Sequence, residues 1–223
     1  SGNGNNFTVA GTLGSDQMLD TPTNNFCTLN DVATSNFLTL SEGNTKATRT
    51  GNEEGGSIAT IFQSTGKWYA EALINVAGSD NTPGIGITSI GMTETLNVND
   101  GKFYNSAGTV GAIWRDDTSI STNGTSSSLG TLSAGDILSI AIDLDNNKTW
   151  FGLNGTYVNS GNPANGSNHQ LTTTSGREYT IIGVANGSGA FTLNFGQDSS
   201  FAGAKTAQGN QDGNDIGDFY YTP

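Results

Sequence analysis

The 223-residue chain has one cysteine, Cys27, and one histidine, His169. A lone cysteine excludes an internal disulfide and a thiolate zinc site. A cysteine nucleophile needs a basic partner. The only histidine lies in the polar stretch Gly166-Ser167-Asn168-His169-Gln170, so Cys27 reads as a packing thiol and His169 as a solvated loop side chain. Positive charge is scarce: Lys and Arg number 8 against 20 Asp and Glu, a formal net charge of -12. Such a surface repels phosphate backbones and anionic bilayers. With no basic cluster, nucleic acid is excluded as a partner. No apolar run of about 18 residues occurs, which excludes a membrane-inserted helix.

Catalytic signatures are also missing. The sequence has no phosphate-binding glycine loop, no dinucleotide fingerprint and no Gly-x-Ser-x-Gly elbow. No cofactor is called for. A retaining glycosidase needs two carboxylates about 5 Å apart, and on a sandwich strand that takes alternating acids. The nearest run is Asp143-Leu144-Asp145, which reads as the cap of a hairpin turn. Asp212, Asn214, Asp215 and Asp218 form an oxygen-rich group suited in type to calcium. Their spacing fits no EF-hand, so they read as a solvated turn. The expectation is a protein that is not an enzyme and holds no metal.

What fills the chain instead is small and polar. Gly (32), Thr (30), Asn (26) and Ser (22) make up 110 of the 223 residues. Glycine and asparagine form turns, and threonine favours strands. Ten Phe, six Tyr and three Trp recur in β-branched runs, which disordered chains lack. Short strands follow by alternation: Phe37–Leu40, Thr45–Thr50, Ser57–Phe62, Lys67–Ile74, Gly84–Ile87, Lys102–Asn105 and Gly111–Trp114. Further on come Asp136–Leu144, Thr149–Leu153, Thr156–Val158, Tyr179–Ala185 and Ala190–Phe195. Asn154-Gly155 predicts a type I′ hairpin turn, because both central residues take positive φ. Asn186-Gly187 predicts a last hairpin. Residues 115–133 read as a long exposed loop or hairpin. Trp68 and Trp150 read as core. Trp114, beside Arg115 and two aspartates, reads either as core or as a binding platform. Strands at this spacing make one all-β sandwich or barrel.

Six separated motifs carry a resemblance. They are Gly66-Lys67-Trp68-Tyr69-Ala70-Glu71, Gly84-Ile85-Gly86-Ile87, Gly135-Asp136, Asp143-Leu144-Asp145-Asn146, Trp150-Phe151 before Asn154-Gly155, and Phe191-Thr192-Leu193-Asn194-Phe195-Gly196-Gln197. In that order they resemble a SPRY (B30.2-like) domain over roughly 57–201. The resemblance implies a bent antiparallel β-sandwich of the concanavalin-like jelly-roll kind. It implies a leader at 1–30, the sandwich at 31–201 and a polar tail or link at 202–223.

Leu19–Phe26 with Thr28-Leu29-Asn30, and Gly217–Pro223 at the other end, are similar to SPRY-bearing tail-fibre or surface proteins of bacterial viruses. In those the chain tends to continue past the final Thr-Pro, which implies a fragment here, or processing. The expected location is the virion, outside the cell. The expected partners are a host-surface protein or glycan and other virion proteins, and a homo-oligomer fits such a fibre. Two functions follow: a recognition module in host attachment, or a structural or assembly module with no ligand of its own. SPRY domains bind through loops at one end, and the polar link after Trp114 is the main departure from the pattern. The expected ligand-binding set is therefore Tyr104, Asn105, Trp114, Arg115 and Asp116, gathered around one hairpin.

Overall fold

A computed structural model describes residues 25–52, 55–78, 83–89, 112–114 and 132–223, with 112–114 described by backbone. The strands are β1 (Leu29–Thr34), β2 (Leu38–Ser41), β3 (Lys46–Arg49), β4 (Gly55–Ala59), β5 (Lys67–Val76), β6 (Gly84–Ser89) and β7 (Ala112–Trp114). They continue with β8 (Ile137–Asp143), β9 (Lys148–Leu153), β10 (Thr156–Tyr157), β11 (Leu171–Thr172), β12 (Tyr179–Ala185) and β13 (Ala190–Asn194).

All pairings are antiparallel, in two sheets. Sheet A runs β1-β4-β12-β6-β7; sheet B runs β10-β9-β8-β5-β13-β3-β2, with β11 against β9. The expected antiparallel sandwich is what forms. Its core follows from period-2 alternation. On β5, Ala70, Ala72 and Ile74 face inward and join Ile85, Ile87, Ile140, Phe151 and Phe191 between the sheets. Each such large side chain contributes about 1.5–3 kcal/mol by leaving water.

The alternate faces are covered too. Beyond sheet A, Ile58, Ile182 and Val184 pack with Ala33 and Phe62. Beyond sheet B, Leu73 and Ile137 pack with Phe201, Tyr220 and Tyr221. The stretch after residue 201 is thus laid against sheet B: Phe219 is buried, bridges to Asn210 and meets Tyr69 edge-on at 5.0 Å. Its polar composition hid this, because three aromatics anchor it at Phe219, Tyr220 and Tyr221.

Several expectations are corrected. β12 and β13 are not a hairpin. β12 pairs with β4 and β6, whereas β13 pairs with β3 and β5. Asn186–Gly189 is therefore an arch between the sheets, closed by a Gly189 N–H to Asn186 carbonyl bond of 2.7 Å. Gly187 and Ser188 take φ of 52° and 65° there. Gly78 lies so close beneath that a Cβ would stand 2.1 Å from the Asn186 carbonyl oxygen.

β1 carries no strand signal in the sequence because its pattern, Leu-Asn-Asp-Val-Ala-Thr, breaks alternation, and its pairing with β4 is irregular between Leu29 and Thr34. The boundary drawn at residue 30 falls inside it. Trp150 is buried as expected, but under the 158–170 loop, where its Nε1 donates to the Ser167 carbonyl at 2.7 Å. Trp68 is not core: it is 43% exposed, at the end of its strand. The Asn154-Gly155 turn has φ of 50° and 78°, as a type I′ turn requires. The strand expected at Lys102–Asn105 lies outside the described residues.

Candidate functional site

Among the described residues, β7 is the outer strand of sheet A. Ala112 stands opposite Ile87 and Trp114 opposite Ile85. Across β6 these levels continue to Ile181 and Gly183 of β12. The chain therefore leaves β7 toward the end of the sandwich that holds the 186–189 arch, the 50–52 turn and the 132–136 link. Backbone bonds lock that end. Arg49 N–H donates to the Gly189 carbonyl at 2.9 Å and Ser188 N–H to the Gly51 carbonyl at 3.1 Å. Gly135 N–H donates to the Ile74 carbonyl at 2.8 Å.

The Arg49 side chain adds a further tie. It is buried, donates to the Phe37 carbonyl at 3.3 Å and to the Thr50 carbonyl, and lies 4.7 Å over the Phe37 ring. This end is a stiff base on which loops can be grafted. Of the expected ligand-binding set, Trp114 is placed here by its backbone. Tyr104, Asn105, Arg115 and Asp116 lie outside the described residues.

Several of the described carboxylates are engaged in structure. Asp143 accepts from Asn146 N–H at 3.0 Å and from its Nδ2 at 2.9 Å. Asp145 accepts from Gly66 N–H at 2.9 Å. The Asp143 bonds cap its own hairpin turn, as the sequence predicts, whereas Asp145 reaches across to the distant 64–66 turn. Asp212 Oδ1 accepts from the N–H groups of Asn214, Ile216 and Gly217. Partial burial raises its pKa, but these donors outweigh that and hold the carboxyl below its usual range.

Glu71 is an acid that the site motifs of the sequence do not single out. It is fully buried on the outer face of β5. Oε2 accepts from Tyr220 N–H at 2.9 Å and from Asn194 Nδ2 at 3.2 Å. Oε1 accepts from Tyr221 N–H at 2.8 Å and from the Tyr69 hydroxyl at 3.0 Å. Burial pushes this carboxyl above its ordinary value against the pull of those donors. Burial and the nearby Glu71 charge raise Tyr69 as well, and push Tyr157 up to about 12. The arrangement is a clamp for the C-terminal strap. Its signal was in the sequence: one acid among apolar residues in Ala70-Glu71-Ala72-Leu73.

At the opposite end from the arch, a pocket of about 140 Å³ opens between the sheets. Trp68 stands at its mouth, with Nε1 donating to the Thr65 carbonyl at 2.7 Å. Cys27 lines it. The thiol contacts the Thr60 hydroxyl at 3.6 Å and the Thr28 carbonyl at 3.8 Å, and burial raises its pKa. His169 is elsewhere, with its ring against Trp150.

No protein-family model and no curated protein sequence matches the chain. Solved structures do. The SPRY domain of human HERC1 is similar with a TM-score of 0.56 and 14% identity, over 74% of this chain and 96% of that one. The TRIM65 PSpry domain is similar with a TM-score of 0.51 and 14% identity, over 75% and 91%. At such identity the likeness is one of fold: this chain has a SPRY-type β-sandwich.

Proposed function

We propose that the chain is a non-enzymatic recognition module on the surface of a bacterial-virus particle. It engages a host-surface protein or glycan during attachment, through the loop end that β7 feeds. The observation that carries this is the backbone position of Trp114: on the outermost described strand of sheet A, beside a loop base tied by backbone bonds. A rigid sandwich with variable end loops suits recognition. The viral character rests on the flanking motifs Leu19–Phe26 and Gly217–Pro223. Tyr104, Asn105, Arg115 and Asp116 supply aromatic and polar groups, the usual mixture at a binding surface. Other virion proteins, including further copies of the chain, are the remaining partners.

A second reading is a structural or assembly module with no ligand of its own. The strapped C-terminal segment favours it, because a segment fixed through Glu71 can carry load to a neighbouring chain. One experiment separates the two. The intact fibre or particle carrying Trp114→Ala is tested for saturable binding to host cells, with the melting temperature as fold control. Lost binding at unchanged stability supports recognition. Unchanged binding, with no attachment defect when the whole protein is removed, supports the structural reading.

A further inference from the structure

The pocket at the end away from the arch has a composition unlike the rest of the surface. The chain has a net charge of -12, yet among the described residues no Lys, Arg, Asp, Glu or His lines this pocket. Its walls come from both sheets and from the start of the described chain: Trp68, Leu144 and Phe195 on one side, Ile181 and Tyr179 on the other, with Phe26 across them. Its volume is about 140 Å³. A dry cavity of about 150 Å³ lined by aliphatic and aromatic groups accepts benzene. Rigidity is built in. The Trp68 indole is tied to Thr65, and Gln63 and Tyr179 exchange two backbone hydrogen bonds of 2.8 Å each. Asn25 and Gln63 are the amide-bearing residues of the lining, and one amide is enough to orient one polar substituent.

We propose that this pocket is a binding site for a small uncharged ligand built on a single aromatic ring. The lining decides against the alternatives. An anion or cation would lose its hydration with no counter-charge to replace it. A pyranose would bury several hydroxyls against carbon, each unpaired one costing on the order of tenfold in affinity. A fused polycyclic ligand exceeds the volume. The site is separate from the loop end of β7, so it stands or falls independently of the attachment reading.

Phenol and toluene are the probes, with glucose and benzoate as controls, titrated by calorimetry into the full chain. The expectation is saturable binding of one phenol or toluene per chain and none of glucose or benzoate. Leu144→Phe should fill the pocket and weaken probe binding at least tenfold while the melting temperature holds. A second readout covers the case in which that variant does not fold. In the unmodified chain, a saturating probe should slow iodoacetamide alkylation of Cys27 at alkaline pH several-fold and shift the Trp68 emission. Absence of saturable binding overturns the proposal. So does a Cys27 alkylation rate indifferent to the probe, or undiminished affinity in a folded Leu144→Phe variant.

Discussion

Glu71→Gln tests the clamp with an almost isosteric change. In the native chain all four partners of Glu71 can donate to it: the N–H groups of Tyr220 and Tyr221, the Tyr69 hydroxyl and Asn194 Nδ2. Asn194 cannot turn over freely, because its Oδ1 holds the N–H groups of Gly196 and Asp198. Tyr69 can, because its hydroxyl also reaches Ser139. The best glutamine pose therefore sets its amide nitrogen beside Tyr69 and leaves the Tyr221 N–H facing another donor. One unsatisfied buried N–H costs about 1–3 kcal/mol. The two remaining bonds lose their charge assistance, but relief from burying an ion, which outweighs the donors' pull at this carboxyl, offsets that loss. The net expectation is about 2 kcal/mol of lost stability at neutral pH. For a chain of this size that lowers the melting temperature by about 4–8 °C. Denaturant unfolding gives the magnitude. Amide hydrogen exchange gives the location: Tyr220 and Tyr221 should lose protection before strands β5, β8 and β13. A variant as stable as the parent, with both amides still protected, would refute the clamp.

Four further outcomes are expected. Because burial raises the folded-state pKa of Glu71, its contribution to stability is full below the ordinary carboxylate range and is lost as pH rises through the raised value. The Glu71→Gln penalty should therefore shrink from acid to alkaline pH in paired denaturation curves, and a growing penalty would reverse the assignment. Trp150→Ala removes a buried indole and its bond to Ser167, and should cost about 3–5 kcal/mol by chemical unfolding. Trp68→Ala, at a half-exposed site, should cost about 1 kcal/mol in the same assay. Gly183→Ala would set a Cβ 2.4 Å from the Phe191 ring. Overpacking of that kind should cost about 1–3 kcal/mol, read as a lower melting temperature.

The sequence by itself determined the fold class and most strands. Alternation along Lys67–Ile74 and Asp136–Leu144 matches paired strands in sheet B, because inward and outward side chains obey a period that needs no knowledge of the partner. Local turn chemistry was equally legible: Asn154-Gly155 and the Asp143 tie depend on residues a few positions apart.

What depends on distant partners was not. Tyr179–Ala185 and Ala190–Phe195 look like a hairpin, yet each finds its neighbours in a different sheet, and only the sandwich decides that. Trp68 and Trp150 occupy similar strand contexts; one is left at an open end and the other is roofed by a loop. Of the expected ligand-binding residues, the tertiary structure places the Trp114 backbone on an outer strand. The pocket required Phe26, Trp68 and Tyr179 to converge from three parts of the chain. Glu71 reads in sequence as an acid in an apolar run. Its meaning is decided by Tyr220 and Tyr221, about 150 residues further along, whose N–H groups reach it only after the strap folds back.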